Sequence, residues 1–75
     1  MDATTKFLYR HEAAAELSSR GLSTKPQTLA RLAVYGGGPK FRIWGRRPVY
    51  SLNELLQWAE NRLGRSLSST SDRDA

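Results

Sequence analysis

Residues 26–50 read PQTLARLAVYGGGPKFRIWGRRPVY, and a change of period inside them decides the fold. Leu29, Leu32 and Ala33 recur at the spacing of one helical face. They follow Pro26, whose fixed φ and missing N–H suit the first position of a helix. Gly36, Gly37, Gly38 and Pro39 then stop that helix. From Lys40 the period becomes two: Phe41 and Ile43 point one way and Arg42 and Trp44 the other, as in a strand with one buried face. Gly45, Arg46 and Arg47 turn the chain, and Val49 and Tyr50 pair back. Pro48 is tolerated there because a two-stranded ribbon consists of edges. The spacing thus predicts a helix over 26–35 and then a β-hairpin with a basic tip.

Helices flank this segment on both sides. Residues 11–20 favour one, with Ala13, Ala14 and Leu17 on one face, Glu12 and Glu16 outside it, and Gly21 as a stop. A polar connector, 22–25, leads on to Pro26, with Ser23 or Thr24 as the expected cap. After the hairpin, Ser51 and Glu54 have capping-box spacing, and Leu52, Leu55, Leu56, Ala59 and Leu63 mark a helix over 52–63. The expected order is helix, helix, hairpin, helix: a mainly α domain with a small β-hairpin over residues 7–65. Residues 1–6 and the Ser-rich 66–75 read as flexible tails.

Seventy-five residues allow one small domain and a thin core, which argues against an enclosed catalytic pocket. The chain has no cysteine and one histidine, so disulfides and structural metal sites are not expected, and no cofactor is. His11 lies beside Glu12 and Glu16 on a charged helix face, where a lone imidazole is normally solvated, and no carboxylate cluster suits metal-assisted hydrolysis. The residues point away from an enzyme. The longest apolar run, Leu32 to Tyr35, is far short of a membrane span, and no leader peptide is visible, so a cytoplasmic, nucleoid-associated address is expected.

Charge placement indicates what the domain meets. The net charge is +5, yet residues 17–53 contain no acid while holding Arg20, Lys25, Arg31, Lys40, Arg42, Arg46 and Arg47. One side should therefore be strongly positive and suited to a polyanion. The helix, turn, helix, basic hairpin, helix order is the layout of a winged helix-turn-helix, whose second helix enters the major groove while the wing grips the adjacent backbone or minor groove. On the second helix the side chains outside the apolar stripe include Gln27, Thr28 and Arg31, with Lys25 at its start. Gln pairs bidentately with adenine and Arg with guanine, and Thr meets a phosphate or a thymine methyl. Lys40, Arg42, Arg46 and Arg47 provide the hairpin's cations, for phosphates or a narrow minor groove. Tyr50 and Trp58 read as core. Trp44 either packs on the outer side of the hairpin, inserts at DNA, or docks on a neighbouring copy. It is the one aromatic expected on the exposed hairpin face, too few for a single-strand RNA platform.

A resemblance sharpens these expectations. Phe7 Leu8, then Glu12 Ala13 Ala14, Pro26-x-Thr28 Leu29-x-Arg31, Gly37 Gly38 Pro39-x-Phe41, Gly45 Arg46 Arg47-x-x-Tyr50 and Leu55-x-x-Trp58 together resemble the pattern of small MerR-like, excisionase and AlpA-type DNA-binding proteins. The similarity extends over about residues 7–63. It implies a MerR-like winged helix-turn-helix that binds double-stranded DNA as a recombination directionality factor. Such a factor bends attachment-site DNA and guides an integrase, a tyrosine or serine recombinase, towards excision of a mobile element. Cooperative self-association on DNA is expected with it, because bending costs on the order of 1–6 kcal/mol. The same surface would also serve an AlpA-type transcriptional regulator, and a basic protein-interaction module is the reading outside DNA binding.

Overall fold

A computed structural model of the chain describes residues 6–68. The order of elements is β1 (Phe7–Tyr9), α1 (Arg10–Ser19), α2 (Pro26–Tyr35), β2 (Arg42–Trp44), β3 (Arg47–Ser51) and α3 (Leu52–Leu63). Three helices thus accompany a three-stranded antiparallel sheet of order β1-β3-β2. Of the expected tails over 1–6 and 66–75, residues 1–5 and 69–75 lie outside the described residues.

Both the helix starts and stops have local causes. Gly21, at φ 88°, closes α1 in a Schellman motif: Leu22 N–H donates to the Leu17 carbonyl at 2.9 Å and Gly21 N–H to that of Ser18 at 3.0 Å. Neither Ser23 nor Thr24 caps α2. The N-cap is Lys25 without a side-chain bond, because Thr24 is engaged in the connector. There the Ser18 hydroxyl donates to the Thr24 carbonyl and accepts from the Thr24 N–H, both at 3.1 Å.

The strand before α1 was not expected, and it changes the hairpin's setting. β1 pairs Phe7 with Ser51, Leu8 with Tyr50 and Tyr9 with Val49, so β3 is central. Lys6, expected in the tail, accepts a hydrogen bond at 2.8 Å from Leu52 N–H. The Ser51–Glu54 capping box expected at the start of α3 is not formed. Ser51 is instead buried at the end of β3 and makes no side-chain cap bond. Pro48 consequently lies in the central strand, but its edge argument survives locally. β1 pairs with residues 49–51 and stops short of it. Towards β2, Pro48 faces Ile43, the non-hydrogen-bonded pair next to a two-residue turn, so no ladder bond is lost.

The core lies between the sheet and the helices: Leu8, Ala13, Ala14, Leu17, Leu29, Tyr50, Leu55 and Ala59 are buried, with Leu22, Leu52 and Trp58 packed around them. Each of Leu17, Leu29 and Leu55 contributes about 1.5–3 kcal/mol on burial, a large share of a small domain's stability. Helix α1 packs on β1 and β3 and helix α3 on β3, whereas β2 packs mainly on β3. The expected buried face of β2 is therefore largely open. Its alternation is as expected, with Phe41 against the Tyr50 ring at 5.9 Å, but Ile43 is 60% exposed because no helix lies beneath it. Leu63, the last member of the α3 stripe, is also exposed.

A Cβ on Gly38 would lie 2.8 Å from Leu32 Cβ, the rigid root of a side chain. Gly38→Ala should lower unfolding free energy by about 1–3 kcal/mol, the usual cost of overpacking, and urea denaturation should show an earlier midpoint with an unchanged slope.

Candidate nucleic-acid interface

The eight residues singled out by charge and hydrogen-bonding type are all exposed, and they fall into two groups. Lys25 stands at the N-cap of α2 and Gln27, Thr28 and Arg31 belong to it, whereas Lys40, Arg42, Arg46 and Arg47 belong to the hairpin and its approach. None of the five arginines and lysines at positions 25, 31, 42, 46 and 47, nor Lys40, is in an ion pair among the described residues. Arg20 differs: its Nε lies 2.7 Å from Glu16 Oε2, so part of the expected positive side is neutralised on α1 itself. Glu54 also returns from α3 to border the same hollow as Lys40 and Arg42, which tempers the charge at the root of the hairpin.

On α2, Gln27, Arg31 and Tyr35 follow one another at intervals of four, with Val34 beside them. Val34 and Tyr35 are 77% and 80% exposed and extend the face that Gln27 and Arg31 begin. Sequence reasoning passed over them because they are apolar and aromatic, although their spacing from Gln27 and Arg31 carries the signal. Thr28 sits on the flank of α2, beside a groove it shares with Trp58 and Arg62 of α3. Arg62, also not singled out beforehand, lies 5.3 Å from the Trp58 ring centre.

The hairpin turns through two residues, Gly45 and Arg46. Gly45 has φ 66° and Arg46 a negative φ, the type II′ pattern that demands glycine at the first corner. Arg46 therefore stands at the tip. Arg47, expected there with it, begins β3 opposite Trp44, and its guanidinium carbon lies 3.9 Å above the Tyr9 ring centre. Arg42 rests 5.9 Å from the Phe7 ring centre. Cations stacked in this way keep their in-plane N–H donors available to an anion. Trp44 is 73% exposed and borders a shallow groove on the outer side of the hairpin with Arg42 and Val49.

Two contacts hold the groups in relation to each other. The connector over 36–40 is drawn onto α3 by Trp58, whose Nε1–H donates to the Gly37 carbonyl at 2.8 Å. Arg10 Nε donates to the Tyr50 hydroxyl at 3.0 Å, tying the start of α1 to the central strand. His11 is exposed and stacks near Tyr9, with ring centres 6.2 Å apart. Among the described residues, no three His, Asp or Glu side chains gather where they could hold a metal ion, and no helix is long and apolar enough to cross a membrane. No protein-family model and no curated protein sequence matches the chain.

Trp58→Phe removes the Gly37 hydrogen bond while keeping most of the ring packing. It should destabilise the fold by about 0.5–1.5 kcal/mol and raise amide exchange at residues 36–40, read by hydrogen-exchange NMR.

Proposed function

We propose that the chain is a winged helix-turn-helix protein that binds double-stranded DNA sequence-specifically and acts, like an excisionase, by shaping DNA rather than by catalysis. The observation that carries this reading is the exposure of all eight candidate residues, in two groups flanking one short connector, with no carboxylate among the described residues claiming their cations. In this reading α2 lies in the major groove. Gln27 and Arg31 read base edges, Thr28 and Lys25 fix the helix on phosphates, and Val34 supplies an apolar contact for a thymine methyl. The hairpin is the wing, with Arg46 at its tip and Lys40, Arg42 and Arg47 along it, on the adjacent backbone or minor groove.

One small domain offers too little surface to bend DNA alone against about 1–6 kcal/mol, so several copies bind side by side. The bent attachment site then allows an integrase, the proposed protein partner, to assemble an excisive complex. The resemblance of the motifs to excisionase and AlpA-type proteins supports this choice among DNA-binding roles. Titration into attachment-site and promoter DNA, with excess competitor and circularly permuted probes, tests it. Cooperative binding with bending at the attachment site is expected. Preference for a promoter alone would move the assignment to transcriptional regulation, and absence of any preferred site would overturn sequence-specific binding.

Two groups of substitutions should separate the roles. Arg46→Ala with Arg47→Ala should weaken binding to all duplexes and reduce the magnitude of the salt slope by about 0.9 per lost phosphate contact. Gln27→Ala with Arg31→Ala should instead erode discrimination between the preferred site and competitor, by about 1–3 kcal/mol per lost base contact. Fluorescence anisotropy over a salt series measures both.

A further inference from the structure

The addition of β1 gives the sheet a surface that the hairpin alone lacks. Residues opposite one another across antiparallel strands share a face. Arg42, Val49 and Tyr9 form one such row and Trp44 and Arg47 another, with Phe7 two residues from Tyr9 on the same side. Leu8 and Tyr50, on the other side, are in the core. The outer face therefore carries three rings rather than one. Trp44 is largely exposed, Phe7 and Tyr9 are half-buried, and all three line a shallow groove with Arg42 and Val49. No residue of the three strands is Asp or Glu.

We propose that this outer face of the sheet is a stacking platform for single-stranded DNA, a site distinct from the duplex-reading face of α2. The Trp44 side chain has no ring or hydrogen-bond partner among the described residues, so its planar surface is available. Arg47 is seated on Tyr9 at 3.9 Å, which leaves the other face of its guanidinium open for a base and its in-plane donors for a phosphate. Arg42 over Phe7 repeats the arrangement more loosely. Duplex DNA conceals the faces of its bases, whereas a single strand presents them together with its charges. Both features match an acid-free surface of rings and guanidiniums. An acidic peptide would match the charge alone, leaving the planar groups without a counterpart. The groove's side chains are apolar or donors apart from the Tyr9 hydroxyl, so the proton of a ribose 2′-hydroxyl would find few acceptors there.

The test uses the full chain and a fluorescent oligothymidylate of about 15 nucleotides, compared with an abasic strand of the same length and charge. Stacking predicts that the strand with bases binds tighter, by roughly 5- to 150-fold for each base stacked. Trp44→Ala should lose affinity of that order for oligothymidylate and little for the abasic strand, whereas Arg47→Ala, which also removes a phosphate contact, should weaken both and oligothymidylate the more. Trp44→Phe should recover much of the loss. Matching thermal melts establish that the variants are folded, as expected for exposed positions. Gln27→Ala with Arg31→Ala should leave single-strand binding unchanged. Equal affinity for the abasic strand overturns the proposal, as does a polyglutamate peptide that competes as well as oligothymidylate. An RNA strand bound tenfold tighter overturns the choice of DNA. Duplex site preference, measured in parallel, reports separately on the proposed function: either property can fail while the other stands.

Discussion

The hydroxyl of Tyr50 accepts a hydrogen bond from Arg10 Nε at 3.0 Å, beneath a ring that is 1% exposed, and the rest of the fold is arranged about that contact. A tyrosine buried this deeply must find a partner for its oxygen, or the burial loses much of its benefit. The partner comes from the first residue of α1, 40 positions earlier in the chain. Tyr50 also stands opposite Leu8 and against Phe41, so strand, helix and hairpin root converge on one ring. Because β3 runs directly into α3, fixing Tyr50 also sets where the last helix begins.

The second constraint is the connector over 36–40. Gly38 allows the chain to pass so close to Leu32 that a methyl group would collide, while Trp58 holds the Gly37 carbonyl from α3. Helix α2 packs on α1 rather than on the sheet, so this connector sets how the α2 side chains stand relative to the hairpin. In the proposed function, that relation decides whether Gln27 and Arg31 reach base edges while Arg46 reaches the backbone. On that proposal, a loosened connector would weaken recognition even with every candidate contact residue in place.

The three helices were legible because their signals are local. Pro26 opens α2, Gly21 closes α1, and the apolar spacing in 52–63 is regular enough to place α3 at its observed bounds. β1 was not legible: Phe7, Leu8 and Tyr9 show no alternation of their own, and they form a strand only through pairing with residues 49–51. The misplaced details follow from that omission. Lys6 takes the Leu52 N–H at the start of α3, Tyr9 carries the Arg47 guanidinium on its ring, and Pro48 lies in a central strand beyond the reach of β1. The eight candidate residues were legible by type and all reach the surface, yet Val34 and Tyr35 were not, since an exposed apolar or aromatic residue carries no compositional mark.

The missing strand also reversed one argument about ligands. With Trp44 as the single ring on an open hairpin, a stacking surface was poorly supported; with Phe7 and Tyr9 beside it, the same face acquires three rings and two seated guanidiniums. The α2 face and the sheet face are both cationic, so salt would weaken binding at either. They differ in what they offer beyond charge. Gln27 and Arg31 present directional donors and acceptors suited to base edges, whereas Trp44, Tyr9 and Arg47 present planes suited to base faces. Edges are accessible in a duplex and faces in a single strand. The two surfaces therefore favour different states of the same polymer, and a protein carrying both would respond to whether its DNA is paired as well as to its sequence.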